Sequence, residues 1–428
     1  MKTIKLSFLI ILSSMMFIQC TSDPIPGPAG ADGINGVDGK DGKDGVSTGA
    51  ATSTTELLAN KVFLGPNVDG VIDASWADSQ ILVATTVVPD PGNNVFRGYV
   101  GQSIDAQIRA QYDSEFIYFL AEWKDSEETN SRDTWYFDPT TNRWAQESNK
   151  PVFDGAGNII RDAFYEDKFA MQWNISEVAS AWDTQTCYAT CHTNDTEAEG
   201  FAHHYTSATG LQTDMWHYKS IRLGKPVGQF DDKHIVFPDA THPIAGGKTR
   251  AGDAKVSGSH SNNVITLPLL DGANAGTNVK VPKYYIPGRS DYYWILKSEI
   301  DNGTAVAITG VHDNGMLELA GGGTIDPNTD LDFQRPAPLN ANDIHSTAKK
   351  GMPSIFTAPI VGSQGDILCA QTYTGTGWIL EYKRKLVTGN SDDVAFDTTK
   401  NYPFGFAIFN NAAIAHAIKP FLSLKFKQ

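Results

Sequence analysis

Apolar and polar side chains alternate along much of this chain. From Ile104 onward, Ala106, Ile108, Ala110 and Tyr112 alternate with Gln107, Arg109 and Gln111. The polar run Asp113-Ser114-Glu115 interrupts the pattern, and Ile117, Phe119, Ala121 and Trp123 then resume it. A period of two places one set on one face, so the segment up to Asp125 predicts a β-hairpin with a single buried face. Residues 168–175, 378–386, 404–410 and 422–427 read as further strands. Few stretches carry the three-to-four-residue apolar period of an amphipathic helix, so the chain is predicted to be mainly β. Strands separated by long connections rich in Gly, Asp and Asn predict a β-sandwich with large loops at its ends. From Asp183 to about Lys283 alternation nearly vanishes, and that region reads as one long insertion, a length of loop that usually carries function.

The first fifty residues follow different rules. Lys2 and Lys5 precede an apolar run from Leu6 to Ile18 that is too short to span a bilayer and ends near Cys20. Residues 1–20 therefore resemble a lipoprotein signal peptide, with Cys20 as the lipidated residue, although Gln19 is unusual just before such a cysteine. Thr21 rather than Asp follows it, which fits sorting to the outer membrane. Gly27, Gly30, Gly33, Gly36, Gly39, Gly42 and Gly45 then recur in strict period three, the collagen spacing. With one proline inside these triplets, residues 21–54 read as a solvated stalk or a short triple helix. Residues 55–428 are expected to form the folded domain.

The chain's 428 residues suffice for two ordinary domains or one large β domain. A formal charge of −15 argues against nucleic acid as a partner. Phosphate-binding glycine loops, GxSxG elbows and HExxH helices are absent. Asp326 to Asp332 is acidic but lacks the EF-hand spacing, and reads as a loop.

The candidate chemistry lies in "CYATCH", where Cys187 and Cys191 are followed directly by His192. A thiol pair followed by histidine is the arrangement that attaches a c-type haem, with the thiols on the vinyl groups and the imidazole under the iron. Three residues separate the thiols here instead of two, which lengthens the loop between two flexible anchors. A Cys187–Cys191 disulfide is the plainer reading, and a zinc site completed by His203, His204 or His217 is a third. Seven of the ten histidines (His192, His203, His204, His217, His234, His242, His260) fall between residues 192 and 260. A disulfide gives no reason for such crowding, whereas both metal readings do.

The stretch from Asp214 to Ile235, downstream of this cluster, resembles the haem-binding domains related to the ethylbenzene dehydrogenase γ subunit. Asp69 to Gln80 is similar to that family's opening segment, Ile104 to Asp125 to its first hairpin, and residues 377–397 and 402–417 to its closing strands. The resemblance implies a β-sandwich similar to family-9 carbohydrate-binding modules and DOMON domains, with haem held by loops at one end. It also implies an electron-transfer role beside periplasmic molybdenum enzymes, with a b-type haem between Met and Lys. Cys187, Cys191 and His192 depart from that pattern and look like a covalent branch carrying one haem c. His192 is then the expected proximal ligand and His204 the expected distal one, with His203, His217 and Met215 as alternatives. Trp216 and His217 are expected to pack against the porphyrin.

These residues give the expectation of a lipid-anchored monohaem c-type cytochrome that is not itself an enzyme. It would carry electrons in the periplasm or at the cell surface, to another cytochrome or a molybdoenzyme subunit. The competing expectation is a stalked carbohydrate-binding module, with Trp76, Trp123 and Trp135 as stacking platforms. An adhesion domain held by a disulfide or zinc is the third reading.

Overall fold

The computed structural model describes residues 50–428 except 91–93, 95, 140, 162, 176–181, 192–204, 244–248, 290–291 and 332–350. The chain divides into two units, Met1–Ser47 and Thr48–Gln428. Cys20 and the glycine repeat lie outside the described residues.

One hydrogen-bonded sheet organises the second unit. Its principal strands are β1 (Glu56–Lys61), β2 (Ile81–Val87), β3 (Ser103–Tyr112), β4 (Phe116–Lys124), β5 (Lys168–Ile175), β6 (Gln212–Lys219), β7 (Asp231–Val236), β8 (Leu368–Tyr373), β9 (Gly377–Lys385), β10 (Tyr402–Phe409) and β11 (Ala417–Phe426). They run β7-β6-β5-β10-β11-β1-β3-β4-β9-β8, with β2 beside β3 and β11. The sheet folds over on itself, because side chains from its two ends meet. Phe119 on β4 lies 6.1 Å from Trp173 on β5 and 5.7 Å from Trp216 on β6, ring centre to ring centre. Trp123 stacks on Phe169 at 5.8 Å, and Tyr382 on β9 reaches Trp216 at 6.3 Å. The result is a mainly β sandwich with an aromatic core, the packing expected of two sheet faces that each bury alternate residues.

The hairpin predicted from alternation is β3–β4, in register from Ala106 opposite Trp123 to Tyr112 opposite Ile117. Asp113 closes its turn by accepting hydrogen bonds from the amides of Glu115 and Phe116, both 2.8 Å. Only β3 keeps a largely exposed second face. On β4 the second face is covered as well, since Trp76 packs over Tyr118 and Leu120.

The region expected to be one long insertion is not one. It contributes β6 and β7 to the main sheet, paired from Gln212 opposite Val236 to His217 opposite Asp231. Alternation is hidden on β6 because nearly all of it is buried, so no polar face marks its period. A smaller lobe forms around Trp135, Trp144, Leu269, Ile308 and Met352.

The tryptophans expected as sugar platforms are core residues. Trp76, Trp123 and Trp135 are each at most 3 % exposed. Trp76 donates to Glu381 Oε1 at 3.1 Å, and Trp135 to the Asn263 carbonyl at 2.8 Å. Rings held this way present no face to a saccharide.

Candidate functional site

The outer face of β10, β5 and β6 is built in rows by strand register. Gly405, Gln172 and Met215 form one row, and Ala407, Ala170 and His217 the next. Phe409, Lys168 and Lys219 form the third. Gly405, Ala407 and Ala170 keep the centre of this surface low. A pocket with a cavity volume of about 60 Å³ lies over it, walled by Cys187, Ile418, Phe409, His416 and Arg250.

Cys187 reaches the pocket on a turn between two four-residue helices, α1 (Trp182–Gln185) and α2 (Tyr188–Cys191). Three ties hold that turn to the sandwich. Trp182 is fully buried and donates to the Pro403 carbonyl at 3.0 Å. Thr186 accepts from the Phe421 amide at 3.1 Å, and Thr190 accepts from Gln172 on the pocket floor at 2.7 Å. The Cys187 sulfur rests directly on Gly405, where an added Cβ would come within 2.6 Å of it. Cys191 closes α2, while His192, His203 and His204 lie outside the described residues.

His217 is the most telling side chain here. It is 5 % exposed and lines the pocket, yet among the described residues neither ring nitrogen has a hydrogen-bond partner. Leaving a buried polar group unsatisfied costs roughly 1–3 kcal/mol, so such a group asks for a ligand. Burial first, and then the cations Lys219, Lys168 and Arg250, push its pKa well below the ordinary histidine value. The ring is therefore neutral, with a lone pair available at one nitrogen. Phe409 sits between His217 and His416, at 5.7 and 4.8 Å from the two ring centres. Lys168 points its ammonium at Phe409, 4.1 Å from the ring centre, and donates to the Ala413 carbonyl at 2.8 Å.

Trp216, expected beside His217 at the cofactor, is on the opposite face of β6. It is fully buried in the sandwich core and donates to Asp214 Oδ2 at 3.0 Å. Strand geometry forces the separation, since neighbouring side chains on a strand point to opposite faces. Met215, which shares the parity of His217, does line the pocket. His416, Arg250 and Gly405 carry no sequence signal of their own and become site residues only through tertiary packing, Gly405 by its register opposite Gln172. Cys369 is buried on β8, away from this pocket, and burial pushes its thiol well above the ordinary value.

The residues present suit a flat, partly apolar prosthetic group bearing a metal. A low floor of Gly and Ala, a cysteine sulfur against that floor, a neutral unpartnered imidazole and an arginine converge on one pocket. Glu166 braces the turn that follows β6: it accepts from the Ile221 and Arg222 amides at 2.8 and 3.0 Å and pairs with the Arg222 guanidinium.

A family model described as ethylbenzene dehydrogenase matches residues 82–419. No curated protein matches the chain. Among solved structures, a family-9 carbohydrate-binding module from Caldicellulosiruptor kristjanssonii with cellotriose aligns at 7 % identity and a TM-score of 0.26, covering 87 % of this chain and 93 % of that one. The glucose complex of a family-9 module from the same organism aligns at 8 % identity and a TM-score of 0.25, covering 87 % and 95 %. The family match runs from Leu82 on β2 to Lys419 on β11 and so takes in both halves of the sandwich and the pocket between β10 and β6; the chain belongs to the ethylbenzene dehydrogenase family.

Proposed function

We propose that this protein is a lipid-anchored monohaem cytochrome that passes single electrons to a redox partner, another cytochrome or a molybdoenzyme subunit. The observation that carries the reading is the buried His217, with both nitrogens unpartnered, in the same pocket as Cys187. Cys187 and Cys191 would hold the haem covalently, with His192 following as the proximal ligand. His217 is the favoured ligand from the sheet side, ahead of His204, because its orphaned imidazole faces the pocket. Haem c there would supply a one-electron iron couple. The chain's own residues do the rest. Gly405, Ala407 and Ala170 clear the floor, Phe409 and Ile418 give it apolar walls, and Arg250 stands in the same wall. The Thr190–Gln172 hydrogen bond fixes the cysteine turn over the floor.

Protein made with cytochrome c maturation machinery should gain the mass of one haem, and its Soret band should survive acid-acetone extraction. An apo-protein mass with a Cys187–Cys191 disulfide, or bound zinc, would overturn the assignment. Gly405→Ala should sharply lower the haem-loaded fraction in the same mass spectrum, because the new methyl group displaces the Cys187 sulfur. A strand interior tolerates alanine better than glycine, so loss of loading with an unchanged circular-dichroism spectrum isolates the local effect.

The anchor is tested separately. Changing Cys20→Ala should release a soluble form from the outer-membrane fraction. Unchanged membrane fractionation would count against lipidation at this residue.

A further inference from the structure

On the opposite face of β6 from His217 lies a cluster that haem binding does not use. Asp214 on β6, Asp232 on β7 and Asp393 in the connection between β9 and β10 are buried, none more than 3 % exposed. One oxygen from each lies within 4.8 Å of the other two. Oxygens bound to one calcium at 2.3–2.6 Å can be up to about 5 Å apart, so this spacing fits a shared ion. A second observation points the same way. Among the described residues nothing donates a hydrogen bond to Asp214 Oδ1, Asp232 Oδ2 or Asp393 Oδ1, although all three are hidden from solvent.

Arg384 is the guanidinium among them. It stands 2.8 Å from Asp214 Oδ2, within hydrogen-bond reach, and 3.4 and 3.8 Å from the Asp393 and Asp232 oxygens. Three carboxylates against one guanidinium leave two negative charges without compensation in a low-dielectric interior. Desolvating such charges unpaired costs several kcal/mol each. Asp253 and Asp366, close by, each keep one further buried oxygen without a donor.

We propose that Asp214, Asp232 and Asp393 bind a calcium ion that fastens the β9–β10 connection onto β6 and β7. The triad offers only hard, anionic oxygen, which selects calcium or magnesium over zinc or copper. Magnesium keeps several of its waters and demands near-octahedral geometry, whereas these carboxylates are buried away from solvent, so calcium is preferred. The ion joins segments far apart in sequence. The Val394 amide already donates to Asp214 Oδ2 at 2.9 Å, and calcium would lock that junction. Because β6 carries His217 on its other face, occupancy would also stiffen the wall of the pocket.

The test uses the mature full-length chain, stripped with a calcium-selective chelator. Equilibrium dialysis should return about one tightly held calcium per chain, and added calcium chloride should raise Tm by roughly 2–5 °C while equimolar magnesium chloride does not. Asp393→Asn should abolish both effects. Should that variant fail to fold, hydrogen exchange on the wild-type chain decides: calcium should slow exchange at the Val394 amide and along β6 and β7. Stripped protein that takes up no calcium, calcium binding untouched by Asp393→Asn, or protection elsewhere in the chain would each overturn the proposal, leaving Arg384 as the sole organiser of the cluster.

Discussion

If the proposed haem c is bound, His217→Ala should leave it attached but turn its ferric spectrum from low spin to high spin, and should open the iron to carbon monoxide. The proposed thioether anchors, Cys187 and Cys191, sit on a different element, the α1–α2 segment, so covalent loading would not depend on the β6 imidazole. Ligation of the iron from the sheet side would depend on it, because His217 is the described pocket side chain whose two ring nitrogens both lack partners. His217→Met should restore six-coordination and raise the midpoint potential by on the order of 0.1 V, within the roughly 0.8 V range that axial ligands command. His217→Leu supplies a control that a purely structural role would fail. It removes an unsatisfied buried polar group while keeping bulk, so the haem-free protein should become more stable by about 1–3 kcal/mol in urea titrations. A His217→Ala protein that stays low-spin and inert to carbon monoxide would move the ligand to Met215, His416, His203 or His204.

Glu166→Gln should cost about 3–5 kcal/mol of stability at pH 7, the range for removing one partner of a buried charge pair. Glu166 is wholly buried, and its two oxygens serve the Ile221 and Arg222 amides and the Arg222 guanidinium, with Arg132 at 3.8 Å. Burial alone would raise its pKa. The charges of Arg222, then Arg132, outweigh that and hold it at about 2, against an ordinary value of 4.5. A folded value below the unfolded one means the contribution is fully present above about pH 4.5 and is lost as pH falls towards 2. It amounts to about 3 kcal/mol. Urea unfolding of wild type and variant should therefore show a gap at pH 7 that narrows markedly by pH 3. A gap independent of pH would show that the carboxylate charge is not what holds the turn after β6.

How much of this was legible in sequence differs between the faces of the sheet. β3 could be read directly because one face meets water and the other the core, and a period of two survives in the letters. β6 could not, since its inner face meets the sandwich core and its outer face the pocket, so polar and apolar residues are all buried. The same compression misplaced Trp216, grouped with His217 because the two are adjacent. Adjacency on a strand is the arrangement that separates side chains onto opposite faces.

By itself the sequence determined the class of fold, the spacing of Cys187 and Cys191, and the crowding of histidines along the chain between residues 192 and 260. These are local facts, written in periodicity and in spacing along a few residues. Only the tertiary structure decided which imidazole faces the pocket, that His416 and Arg250 join it, and that Gly405 lies under the Cys187 sulfur. It alone gathered Asp214, Asp232 and Asp393, while the acidic run at Asp326 stayed a surface turn stitched by its own hydrogen bonds. The physical reason is that charge, burial and missing hydrogen-bond partners belong to neighbours in space, and the pairing of β6 with β5 and β7 brings together residues that no sequence window contains.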